Sequence, residues 1–223
     1  MTTFTPAIYG AEPKDLGRLD LDTAEMMFWL YTPIKLPGMW METPPQQLVK
    51  YDPLLDVVRF DVIDTFGEKR WTDSYVYLSV KILHVTPDAP GNRPGWHSDG
   101  FMTNDLNYIW SDRNPTEFFI AKVPMSVRAD HSVSLVDFEL EISQPLHSDR
   151  REHATVNHLY RLDQTNIHRV SLNVESGKRA FIKVSVSDKP YAQLGNSINH
   201  DLPAHPRPSV ERIAERNCPQ GKM

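Results

Sequence analysis

The stretch RAFIKVSVS, residues 179–187, decides the fold class. Its residue types alternate with a period of two. Ala180, Ile182, Val184 and Val186 project to one side, and Phe181, Lys183, Ser185 and Ser187 to the other. That period belongs to an extended strand, whose successive side chains leave opposite faces, and the aliphatic side predicts a core behind it. The link ESGK (175–178) sets Gly177 between this run and HRVSLNV (168–174), and reads as a tight hairpin.

Runs of the same texture recur upstream: DVVRFDVI (56–63), SYVYLSVKILHV (74–85), TEFFIAKV (116–123), SLVDFELEI (134–142) and TVNHLYRL (155–162). Each is rich in Val, Ile, Leu, Phe or Tyr and is set off by turn or loop residues, so each predicts a strand. Together they predict a mainly β domain, a sandwich or barrel. Helical periodicity is not evident from Val57 to Ser187, which disfavours a βαβ parallel sheet. Helices are expected only in the flanks. One spans Asp22 to Tyr31, capped by Asp22 or Thr23 and stopped by Pro33; a short one covers VERIAERN (210–217). The expected organisation is a single domain, with a helical and irregular flank at 1–55, a β core at 56–188 and a surface tail at 189–223.

With 40% hydrophobic and 24% charged residues in 223, the chain has the composition of a globular protein with a sizeable core. Its net charge of −5 argues against a surface built to grip duplex nucleic acid. Cys218 is the only cysteine, so neither an intramolecular disulfide nor a thiolate metal site is expected, which fits the reducing cytoplasm. The N-terminal residues lack a basic start and an apolar run, and no stretch is long enough to span a bilayer; no membrane partner is expected.

The chemistry centres on PGWHSDGF (94–101), where His97 and Asp99 stand two apart. In an extended segment such residues project to the same side, so both can reach one metal ion. A third ligand must come from elsewhere, and His168 opens a predicted strand. Two histidines and a carboxylate leave coordination positions open for co-substrate and oxygen and suit Fe(II). A second HSD, His147 and Asp149 within LHSDRREH (146–153), offers a rival pair with His153 or His158 as third ligand. It precedes His168 by only nineteen residues, in a charged context that reads as a solvated connection, so the first copy is preferred. Taken singly, His97 and Asp99 read equally well as turn residues. Order, spacing and strand context together favour the metal.

Arg179 follows His168 by eleven residues and could clamp a carboxylate through two parallel hydrogen bonds. HxD, a distant His and an Arg about ten residues later, in a chain of short strands, resembles the 2-oxoglutarate/Fe(II)-dependent dioxygenase superfamily. The likeness covers roughly Tyr75 to Ser187. It implies a double-stranded β-helix of the jelly-roll, cupin-like kind, with His97, Asp99 and His168 binding Fe(II) and with 2-oxoglutarate and O₂ as co-substrates. Arg179 would pair with the far carboxylate of 2-oxoglutarate. Many relatives carry Ser or Thr two residues after that Arg; here Phe181 stands there, so another donor must help. Tyr75, Tyr77, Ser79, Lys81 and Tyr108 are the candidates, Tyr77 and Tyr108 foremost.

Trp96, Phe101, Tyr108 and Trp110 are expected to line a substrate pocket, and the polar, aromatic segment 103–118 reads as a lid or a rigid loop. The expected substrate is a small molecule or amino-acid-like group, with a nucleotide or nucleobase as the further alternative. The rival from another class is a β-sandwich that binds a ligand or serves a structural role without redox chemistry.

Overall fold

The computed structural model describes residues 8–121, 125, 127–128, 130–145, 150–202 and 204–211. Its strands are β1 (Lys14–Arg18), β2 (Met27–Lys35), β3 (Tyr75–Val85), β4 (His97–Ser98), β5 (Leu106–Ser111), β6 (Thr116–Phe119), β7 (Arg151–His153), β8 (His158–Leu162), β9 (Ile167–Val170) and β10 (Gly177–Ser187). Three α-helices accompany them, α1 (Asp52–Phe66), α2 (Glu68–Thr72) and α3 (His131–Ser143), with a 3-10 helix over Gln46–Tyr51 leading into α1. The fold is mainly β, in two antiparallel sheets ordered β1-β8-β5-β10-β3-β2 and β4-β9-β6-β7.

From β3 onward the pairing is nested. β3 pairs with β10, β4 with β9, β5 with β8 and β6 with β7; β10 also pairs with β5, and β9 with β6. The long ladder at the centre runs from Tyr75 opposite Ser187 to Val85 opposite Gly177.

Alternation in 179–187 is as expected, but both faces of that strand are buried. Ala180, Ile182, Val184 and Val186 join Val76, Leu78, Val80 and Ile82 of β3 against Leu54, Leu55, Val58 and Val62 of α1. Each such aliphatic side chain, fully buried, contributes about 1.5–3 kcal/mol. Phe181, on the opposite face, packs with Ile109, Leu162 and Tyr160 of the large sheet and Phe118 of the small one. α3 closes the small sheet from outside, with Phe138 and Ile142 against Phe119, Ile167 and Trp96.

Two predicted strands are helices, for one reason. In 56–63, Val58, Phe60 and Val62 alternate with Arg59 and Asp61, yet Phe60 is 66% exposed and the buried set Leu54, Leu55, Val58, Val62 has helical spacing. Pro53 in the first turn suits a helix start. In 134–142, Phe138, Leu140 and Ile142 alternate with acidic residues, yet Leu140 is 58% exposed while Phe138 and Ile142, four apart, are buried. A short alternating run is also part of a helical face when only every second apolar residue goes inward. Helices therefore interrupt the stretch from Val57 to Ser187.

The helix expected at 22–31 is replaced by β2. Asp22 accepts a hydrogen bond from the Ala24 N–H (2.9 Å) in a local turn instead of capping a helix. Pro33 is tolerated because β2 lies at the sheet edge. ESGK is not a hairpin either: β9 and β10 belong to different sheets, and the link crosses between them. Asn114 pins it, donating to the Glu175 carbonyl (2.9 Å) and accepting from the Glu175 N–H (3.0 Å). Nor does all of the tail lie on the surface. Asn199 is buried and donates to the carbonyls of Pro33 and Thr43, both at 2.8 Å. Most of the helix expected at 210–217, and residues 122–123 of the strand expected at 116–123, lie outside the described residues.

Candidate metal centre

His97 and His168 are direct cross-strand partners in β4 and β9, with ring centroids 4.5 Å apart. Asp99 follows His97 by two residues. One ligand atom from each of the three side chains lies within 4.8 Å of the others. The Nδ1–H of His97 donates to the Gly95 carbonyl (2.8 Å), and that of His168 to the Asn166 carbonyl (3.2 Å). A carbonyl can only accept, so Nδ1 carries a proton in both rings, which leaves Nε2 as the atom each ring can offer to a metal. His97 is held neutral to well below its ordinary value, first by burial and then by His168, against the pull of Asp99.

Burial acts to raise the Asp99 carboxyl, but Lys183 and the two histidines hold it well below the usual carboxylate range. Asp99 Oδ2 accepts a 2.5 Å hydrogen bond from Lys183 Nζ and lies 3.4 Å from His168 Nε2. Sequence reasoning missed Lys183. The signal was present: in the alternation of β10 it shares a face with Arg179 and Phe181, the face that turned out to be the sandwich interior. Burial disfavours its charge, and Asp99 and Tyr31 outweigh that effect, so its pKa is raised.

Arg179 lies four residues before Lys183 on the same side of β10, about 13 Å away along the strand. It is 2% exposed, with Nε donating to the carbonyls of Arg113 (3.0 Å) and Asn114 (3.2 Å) and its guanidinium over the Phe181 ring. Its Nη2 is buried without a partner. Burial pushes its pKa down to about 10, with Asp112 opposing.

Other sequence candidates scatter. Tyr108 and Trp110 stand opposite Val184 and Ile182, on the helix-packed face away from the triad. Tyr108 donates to Asp61 of α1 (2.8 Å) and Trp110 Nε1 to the Leu19 carbonyl (3.0 Å), so both are corrected to core roles. Trp96 packs under the Arg169 guanidinium, 4.1 Å from its ring, in the α3-covered cluster. Tyr77 is on the inner face, but its hydroxyl accepts from the Tyr191 N–H (2.9 Å) and its ring stacks on Tyr191, anchoring the tail. Tyr75 stacks on Tyr77, Ser79 accepts from the Tyr31 N–H, and Lys81 donates to Gly91 and Asn92. Segment 103–118 is not a lid; it contains β5 and the start of β6. His147 and Asp149 lie outside the described residues, His153 is exposed, and His158 pairs with Asp15 at 2.9 Å.

A cavity of about 410 Å³ opens beside the triad, lined among others by Asp99, Phe101, Asp105, Asn107 and Lys183. Arg93 and Lys189 add positive charge to its wall, and Tyr191 of the tail borders it. Arg179, Tyr77 and Trp96 are not among its lining residues. No helix of the described residues is long and apolar enough to cross a membrane. No protein-family model matches this chain, and no curated protein matches it.

Proposed function

We propose that this chain is a non-haem Fe(II)- and 2-oxoglutarate-dependent dioxygenase that oxidises a C–H bond of a polar small molecule. The observation that carries the reading is the His97, Asp99, His168 group, with each histidine Nδ1 tied to a main-chain carbonyl and a cavity beside it. The nested pairing of β3 to β10 supports a double-stranded β-helix, in which an antiparallel hairpin is rolled into two sheets. When bound, the iron would supply the oxidising chemistry, with coordination positions left open by a two-histidine, one-carboxylate set.

The protein's own groups do the rest. The carbonyls of Gly95 and Asn166 orient the two rings, and Lys183 keeps Asp99 ionised. Lys183 also presents positive charge at the cavity wall to an anionic co-substrate. Arg179 keeps an unpaired buried nitrogen, the donor that the resemblance assigns to the far carboxylate of 2-oxoglutarate, although it stands off the cavity wall. The apolar contacts of Ile109, Phe118 and Phe181 between the sheets keep water from that interior.

The test is anaerobic addition of Fe(II) and 2-oxoglutarate to metal-free protein. A weak visible charge-transfer band is expected, lost in His168→Ala; Arg179→Ala should weaken 2-oxoglutarate binding more than iron binding. Absence of the band in the wild type would count against the assignment. One observation favours a second reading, a ligand-binding sandwich without redox chemistry: Lys183 already neutralises the carboxylate that the metal needs. That protein would bind a ligand in the cavity and give no band.

A further inference from the structure

Two side chains on the cavity wall each keep one buried polar atom without a partner. Asp105 and Asn107 stand two apart, just before and within β5, and are 5% and 1% exposed. Asp105 Oδ2 accepts a hydrogen bond from the Tyr191 hydroxyl (2.7 Å), while its Oδ1 has none. Asn107 Oδ1 accepts from the Ser185 hydroxyl (2.7 Å), while its Nδ2 has none. Both residues line the cavity that Asp99 and Lys183 also line.

Gly100, next to the metal-ligand candidate Asp99, is what leaves room there. A Cβ at Gly100 would stand 2.9 Å from the Asp105 Cβ and 3.6 Å from Asn107 Nδ2. Its φ of +69° suits glycine as well. A buried polar atom left unsatisfied costs about 1–3 kcal/mol, so two of them in one cavity wall call for an occupant.

The two atoms define what that occupant must offer. A carboxylate oxygen only accepts, and an amide nitrogen only donates. The complement is an N–H donor adjacent to an acceptor oxygen, which is the edge of an amide. A plain carboxylate has no donor and would meet the charge of Asp105; a plain amine has no acceptor for Asn107. Phe101 and Tyr191 add aromatic surface to the same cavity.

We propose that Asp105 and Asn107 form a recognition subsite for an amide edge of the substrate, from a carboxamide side chain or an amide-bearing ring. The assignment rests on the reading of His97, Asp99 and His168 as the reaction centre, and it specifies the substrate class of that centre. Two matched probe pairs test it: nicotinamide against nicotinate, and L-glutamine against L-glutamate, titrated calorimetrically into the full chain loaded with Mn(II). Mn(II) occupancy is followed separately by electron paramagnetic resonance.

In at least one pair the amide should bind about tenfold tighter than its acid, the worth of one well-made hydrogen bond. The preference should fall to about twofold or less in Asp105→Asn and in Asn107→Leu, with Mn(II) affinity unchanged. Preference for nicotinamide assigns the site to ring amides, and preference for glutamine to side-chain carboxamides. Should amide and acid bind alike, or neither bind, in protein holding Mn(II), the subsite is refuted while the metal centre stands. Survival of the preference in both variants refutes it too. A protein that takes up no Mn(II) yet keeps the amide preference refutes the metal reading alone.

Discussion

Lys35 and Lys183 are both buried lysines of the large sheet, and they are satisfied in opposite ways. Lys35, at the end of β2, is 0% exposed and donates to the carbonyls of Trp71 (2.7 Å), Ser74 (2.9 Å), Thr72 (3.2 Å) and Leu36 (3.3 Å). Three of those carbonyls belong to the end of α2 or the turn after it, where the ammonium adds to the main-chain bonds that Trp71 and Thr72 accept from the Ser74 and Gly38 N–H groups. Lys183 meets a carboxylate instead, and that carboxylate faces a cavity. Fixed main-chain dipoles tie a charge to the fold. A carboxylate partner leaves a second charge that could be traded for a metal ion, and on the proposed reading this difference separates a structural lysine from one placed for chemistry.

The largest way to break the comparison is Lys35→Met. It removes the ammonium's charge-assisted bonds to four carbonyls, three of which keep a main-chain partner, and should cost about 3 kcal/mol, lowering the melting temperature by about 6–12 °C while Mn(II) affinity holds. Thermal denaturation and metal titration on the same sample check both halves. A loss of metal affinity on the scale of a ligand deletion would erase the distinction.

Lys183→Met should act the other way. Removing a positive charge bound to Asp99 is expected to raise Mn(II) affinity about tenfold and to lower 2-oxoglutarate affinity by a similar factor. Competitive metal titration reads the first and calorimetry the second. If both affinities fall together, Lys183 is a strut for the site and not a counter-charge.

The two lysines also predict pH slopes of opposite sign. Burial pushes Lys35 from its ordinary 10.5 down to about 8, so between those values the unfolded chain binds more protons and stability rises with pH. Lys183 is raised above 10.5, so its contribution is complete below that value and is lost as pH climbs through the higher folded one. Denaturant midpoints should therefore rise from pH 8 to about 9.5, below the range in which the buried tyrosines Tyr51 and Tyr77, raised above their ordinary 10.0, turn the slope over, and Lys35→Met should flatten the rise. An unchanged slope in that variant would assign it to another group. The smallest effect is expected from Tyr108→Phe, about 1 kcal/mol of stability from the lost bond to Asp61 and no change in 2-oxoglutarate affinity.

Much of the site was legible because it depends on local geometry. His97 and Asp99 two apart, and His168 at the start of a β-type run, needed only the period of a strand to be read as convergent. Lys183 was visible as part of the polar face of β10, yet a polar face in a strand usually means solvent, and only the small sheet turns it into an interior. Tyr108 and Trp110 were misassigned because proximity in sequence does not fix the face; a register does, and it sets them opposite Val184 and Ile182. The runs 56–63 and 134–142 failed because alternation over so few residues leaves open which apolar side chains go inward. Exposure of Phe60 and Leu140 is a property of the packed chain.

The nested pairing also bears on how the molecule comes to exist. Even the closest pair of the central ladder, Val85 and Gly177, is 92 residues apart in sequence (177 minus 85), and His97 and His168 meet only when the second ladder inward has formed. Loops of that size close slowly, so such a topology predicts folding in milliseconds to seconds, not microseconds. A cation that engages all three ligands would bind the completed roll and ignore its precursors. On the proposed reading, metal uptake would then be a clock for the last step of folding as well as the first step of chemistry.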